Sequence, residues 1–154
     1  MSVIGVEPPG TCHFPSAGYA DIARLIFPVM ERDHYQRKFP VPVTPPNLKQ
    51  ARFLDATGNT IELEFDQPVV WKDDLADNLY LDGKRIGIIE GTSTGNRLIL
   101  KRMVTGNAAN IGYIRGDSWN PAHLLRGTNG IAALTFWEVP IAGEAFKKHA
   151  QGSP

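Results

Sequence analysis

The stretch Thr60-Ile61-Glu62-Leu63-Glu64-Phe65 alternates apolar and polar residues without a break. A strand turns successive side chains to opposite faces, so Ile61, Leu63 and Phe65 fall together on one side. One face is therefore buried and the other wet, which is the pattern of an antiparallel sheet with a single packed face. Downstream, Asn78-Leu79-Tyr80-Leu81 runs into Asp82-Gly83, a strong two-residue hairpin signal, and residues 84–89 read as the return strand. Further strands are expected at 97–101, 110–114 and 131–139. Turn residues recur about every ten positions, at Thr57-Gly58-Asn59, Asp82-Gly83, Gly95-Asn96, Thr105-Gly106-Asn107 and Thr128-Asn129-Gly130. Short strands at that spacing predict a mainly β fold, an antiparallel β-sandwich over residues 49–141.

Upstream of the strands the pattern changes. Residues 3–6 read as a short strand, followed by a Pro/Gly loop. From Ser16 the apolar positions are 22, 25, 26, 29 and 30, the spacing of one helix face. Ser16 is a fitting N-cap, and Pro28 is expected to kink the helix because it lacks an amide donor. Between helix and strands, residues 37–48 carry four prolines, at 40, 42, 45 and 46. Such a stretch favours extended geometry and is expected to act as a semi-rigid linker. The chain thus divides into 1–36 (loop plus amphipathic helix), 37–48 (linker), 49–141 (sandwich) and 142–154 (tail).

Bulk composition narrows the function classes. The 154 residues include 16 basic and 16 acidic side chains, for a formal net charge of zero, and no like-charge run breaks the balance. A nucleic-acid binder would show a basic excess or stripe, so none is expected as a partner. No apolar run reaches membrane-spanning length. The single cysteine, Cys12, forms no internal disulfide. The opening MSVIGVEPPG has neither the basic region nor the apolar core of a secretory signal. As given, the chain reads as cytoplasmic; within a longer exported protein it would be extracellular or periplasmic.

Two tripeptides in Gly112-Tyr113-Ile114-Arg115-Gly116-Asp117-Ser118-Trp119 suggest chemistry and do not carry it. Gly-Asp-Ser marks a class of serine esterases whose nucleophile lies early in an α/β domain, with the base at that domain's end. Here His13 precedes Ser118 by about a hundred residues, and strand patterns surround the serine. Arg-Gly-Asp stands alone with no other adhesion feature. Asp117 and Ser118 read as turn residues after a strand.

Gly10-Thr11-Cys12-His13-Phe14-Pro15-Ser16-Ala17-Gly18-Tyr19 carries a closer likeness. It resembles the end of the catalytic domain in SGNH-type carbohydrate esterases, in particular the sialate O-acetylesterase-like group. There a loop bears the catalytic histidine, and a small-residue turn, Gly-Tyr and a terminal helix follow. The resemblance implies that His13 is a general base. It also marks what is missing: Gly10 stands where the family has the orienting aspartate, and no nucleophile block precedes the loop. A base without a nucleophile performs no acyl transfer. Residues 60–69 resemble the early strands of bacterial Ig-like domains, and residues 124–136 resemble the module that trails the esterase domain. These likenesses imply an Ig-like β-sandwich and place Ser118 outside the family's catalytic machinery.

The expected function is therefore a non-catalytic C-terminal portion of a carbohydrate O-acetylesterase-like protein, partnered by carbohydrate or by an esterase catalytic domain. One alternative is an esterase completed by a separate chain that supplies the nucleophile. Another is a carbohydrate-binding module. Sandwiches that bind sugars use exposed aromatics as platforms, and Trp71, Trp119 and Tyr113 are the candidates. Trp137, in an apolar strand, is assigned to the core. Asp73, Asp74 and Asp77 lack the spacing of a dedicated calcium loop, so no metal and no cofactor is expected.

Overall fold

A computed structural model of the chain describes residues 3–6, 13–85, 87–103, 105–116 and 123–143. Among these the elements are α1 (Ser16–Tyr35), β1 (Leu48–Phe53), β2 (Thr60–Phe65), β3 (Val69–Val70), β4 (Leu79–Leu81), β5 (Ile88–Thr94), β6 (Arg97–Arg102), β7 (Asn110–Tyr113), β8 (Arg126–Gly127) and β9 (Phe136–Ala142), with a 3-10 helix at Asp73–Asn78. The fold is mainly β, with a loop and one helix ahead of the strands. Among the described residues no helix is long and apolar enough to cross a membrane.

Seven strands form one sheet in the order β4-β7-β9-β1-β2-β6-β5, and β3 pairs with β8 in a separate ribbon. The sheet curls so that its two ends face each other across one core. The alternation in β2 sets this up. Ile61, Leu63 and Phe65 are 0%, 0% and 1% exposed, and Leu98 and Leu100 of the neighbouring β6 join them. From the far end of the sheet come Leu79, Leu81, Ile111 and Tyr113. Phe136 on β9 binds the two sides together. Its ring lies 6.4 Å from Phe65 and 5.5 Å from Tyr113. On the outer side of β2, Glu62 is almost fully covered because Arg52 and Arg97 on the flanking strands reach over it, the former at 2.6 Å.

Two pairings depart from a purely antiparallel reading. The first and last strands, β1 and β9, run parallel where they meet, through Ala51 with Ile141 and Arg52 with Ala142. No short connection joins them, so nothing forces the antiparallel sense. The second departure concerns the hairpin. Asp82 and Gly83 take φ of 49° and 73°, and Leu81 and Lys84 exchange both backbone hydrogen bonds, so the predicted tight turn is present. The return strand over 84–89 is not. The chain leaves after Lys84, and β5 pairs with β6 at the opposite end of the sheet, while β4 takes β7 as its partner.

Residues 131–135 likewise stand outside β9, though they were expected within a strand. Ala132 and Ala133 are buried, and Ala133 donates to the Leu125 carbonyl at 2.8 Å. Residues 3–6 form a turn closed by Val6 N–H to Val3 O, with no extended strand.

The helix begins one residue earlier than a Ser16 cap would allow: Pro15 occupies the N-cap, and no side chain caps it. The helix passes through Pro28 unbroken. The carbonyl of Arg24, which loses its donor there, belongs to an exposed residue that water can reach. Gln36, at φ 55°, ends the helix, and the amides of Gln36 and Arg37 both reach back to the Glu31 carbonyl.

The proline-rich segment is not a free spacer along its whole length. Pro45 and Pro46 are buried, and Leu134 donates to the Pro46 carbonyl at 2.9 Å. The Asn129 amide donates to the carbonyls of Pro42 and Thr44 and to Gln67 Oε1, at 2.9 to 3.1 Å. A side chain from the far end of the sequence thus ties this segment to the sheet.

Candidate functional site

The loop before α1 holds His13 at the surface. Its partner among the described residues is a hydroxyl, Tyr19 Oη, 3.4 Å from Nδ1. Phe14 stands edge-on to the Tyr19 ring at 6.0 Å, and Gly18 lets the helix approach Phe14 closely. The imidazole is thus steadied by a phenol where a hydrolase would use a carboxylate. Ser118, Cys12 and Asp117 lie outside the described residues, as does Trp119.

The other predicted aromatics are placed plainly. Trp71 is half-buried against the core, with its ring lying on the backbone of Gly91 in β5. Its amide donates to Ser93 Oγ at 3.1 Å. Tyr113 is 1% exposed, and its hydroxyl accepts from the Leu125 amide at 2.8 Å. Burial pushes its phenol up to about 12. As a sugar platform Tyr113 is therefore a correction: position 113 faces inward on β7, and the ring is closed inside the sheet.

Trp137 is the opposite correction. It was assigned to the core, yet it is 44% exposed. The cause is a bulge in β9. Val139 pairs with Ile111 and Phe136 with Tyr113, so Trp137 and Glu138 together oppose the single residue Gly112. Glu138 takes φ of 51° to accommodate the extra residue, a conformation that costs a non-glycine residue about 1 kcal/mol or more. The bulge lets Phe136 and Val139 both pack on the core although three positions separate them. Trp137 is thereby turned out, over Gly112, with the Tyr80 ring 5.7 Å away. Arg85 in turn caps Tyr80, with Nε donating to the hydroxyl at 3.2 Å and Cζ 5.7 Å from the ring centre. Beside Trp137 opens a cleft of about 690 Å³, whose wall includes Ile4, Arg115 and Thr135.

A second cluster went unread in the sequence. His123 Nε2 lies 3.3 Å from Asp74 Oδ2, at the mouth of a smaller hollow of about 220 Å³. Asp74 comes from the 3-10 helix Asp73–Asn78, and the Asn78 amide group holds the His123 carbonyl, so the two segments are stapled together. Nothing in sequence spacing links positions 74 and 123. Among the described residues, no three histidine, cysteine, aspartate or glutamate side chains converge as metal ligands do.

No family model matches the chain, and no curated protein matches it. Among solved structures the chain is similar to a carbohydrate acetylesterase from Xanthomonas citri, with a TM-score of 0.64 and 17% identity. The likeness covers 86% of this chain and 30% of that protein, so the chain spans under a third of that enzyme's length. At this level of identity the shared feature is the fold.

Proposed function

We propose that the chain is a non-catalytic accessory module of a carbohydrate O-acetylesterase-like protein, resting against a catalytic body through α1. The observation that carries this reading is the state of the helix. Of its twenty residues, Gly18 alone is buried, while Tyr19, Phe27, Met30 and Tyr35 are 50%, 60%, 47% and 78% exposed. Leu25 and Val29 turn toward the proline-rich segment and Ile131. The other apolar stripe faces solvent, and an apolar stripe of that kind on a soluble domain calls for a partner surface.

Further support comes from two sides. Cut at the parallel β9–β1 seam, the sheet order gives β1-β2-β6-β5 and β4-β7-β9, a four-plus-three grouping that supports the Ig-like reading. The similarity to a carbohydrate acetylesterase covers a minor part of that enzyme, as an accessory portion would. In this reading residues 1–36 are the last loop and helix of an SGNH-type, sialate O-acetylesterase-like domain, 37–48 the linker, and 49–141 the trailing module. His13 then stands at the position of that domain's general base, and the nucleophile it would serve lies outside residues 1–154.

The test is hydrolysis of p-nitrophenyl acetate and of an O-acetylated sugar by the purified chain. The expected result is a rate equal to buffer. Turnover that Ser118→Ala or His13→Ala abolishes would overturn the reading.

A further inference from the structure

We propose that the outer face of β4, β7 and β9 is a carbohydrate-binding surface in which Trp137 is the platform for one apolar face of a pyranose ring. It uses neither α1 nor His13, so it stands apart from the accessory reading.

Three observations converge on Trp137. The ring is exposed, and it is also fixed. Gly112 lies beneath it, Tyr80 stands 5.7 Å to one side at an angle of 57°, and Arg85 holds Tyr80 in place. A platform needs this rigidity, because a ring already in its bound rotamer loses little freedom when a ligand lands. The backbone also accepts a positive φ at Glu138 to present the ring. Bulges commonly re-aim a side chain at functional places, and the argument runs from the observed irregularity to the role.

The surroundings select sugar over protein. On β4, β7 and β9, Trp137 is the one exposed large apolar side chain among the described residues. A protein-docking face would join several into a patch. Here the neighbours are mixed: Arg85, Arg115, Thr135 and Glu138 stand around the ring, and the cleft wall adds Ile4, Ile114 and Phe136. A sugar matches that mixture. Its C–H face is apolar and faintly positive, which suits the negative face of an indole, and its hydroxyls point outward to donors and acceptors around the rim. The adjoining cleft of about 690 Å³ has the volume of a small-ligand site.

The test is affinity electrophoresis of the full chain through gels containing soluble neutral polysaccharides, with and without O-acetyl groups. The parent protein is expected to be retarded by at least one of them. Trp137→Ala should weaken retention about tenfold or more. Trp137→Phe, which keeps a ring over Gly112, should fold normally and weaken it several-fold less. Ile89→Ser, at an exposed position on β5 at the opposite end of the sheet, should bind as the parent does. A parent protein that no polysaccharide retards, or a folded Trp137→Ala or Trp137→Phe variant that binds as tightly as the parent, would overturn the proposal. Ester hydrolysis measured on the same preparations reports on the accessory reading alone, because Trp137 has no part in it.

Discussion

The indole of Trp137 lies across the backbone of Gly112, and a Cβ at that position would come within 2.7 Å of the ring. Glycine is needed there for space, since its φ is an ordinary one. Gly112→Ala should therefore push the indole off its seat while leaving the strand intact. The expected signs are a changed near-ultraviolet circular dichroism signal and a loss of about 1–2 kcal/mol in urea unfolding, the usual range for an overpacked contact. An unchanged spectrum would mean that the ring is not held as described.

Tyr113 sits one position further along β7, and its hydroxyl receives the buried Leu125 amide. Tyr113→Phe leaves that donor unpaired, which should cost about 1–3 kcal/mol. The same phenol gives a pH signature. Its folded value is raised to about 12, against the usual value near 10 once unfolded. Between those limits the unfolded chain gives up the proton and the folded one keeps it, so stability falls as pH climbs from about 10 to 12. Urea midpoints over that range should decline less steeply in Tyr113→Phe.

How far the sequence disclosed these features follows from their range. Ile61, Leu63 and Phe65 were legible because a strand's period is local, and so was the tight turn at Asp82-Gly83. The destination of the chain after Lys84 was not, because alternation says which face is buried and nothing about which strand lies alongside. The same limit hid the meeting of His123 with Asp74. Trp137 was misread for another reason. Phe136 and Trp137 are adjacent and equally apolar, and the bulge that sends one in and the other out hinges on Glu138, a residue type that gives no sign of a positive φ. The reading of His13 as an esterase base rests on a resemblance alone, and Gly10 stands where that family carries an aspartate.

Asn129 makes a prediction that separates donor from acceptor. Its Nδ2 serves Pro42, Thr44 and Gln67, while its Oδ1 receives the Ile131 amide at 3.0 Å. Asn129→Asp keeps the acceptor and loses the donor. Both Asn129→Asp and Asn129→Ala should destabilise the chain by about 1–3 kcal/mol. Both should also speed proteolysis in the segment 37–44, which the amide ties down. If Asn129→Asp behaves as the parent, the donor bonds contribute nothing.

The two sides of α1 should respond differently to substitution, and the contrast bears on what covers the helix. Leu25 and Val29 face the proline-rich segment and Ile131. Replacing either by alanine removes apolar contact within the chain, and a half-buried site should lose about 1–2 kcal/mol. Phe27 and Met30, on the open stripe, are 60% and 47% exposed and should lose less on replacement by serine, about 0.5 kcal/mol. Their serine variants should also elute more sharply in size-exclusion chromatography, since an uncovered apolar stripe promotes non-specific association. Unfolding midpoints of the four single variants settle the comparison. A large loss from Phe27→Ser or Met30→Ser in the isolated chain would mean that this stripe already packs within the molecule, leaving no face for a catalytic body.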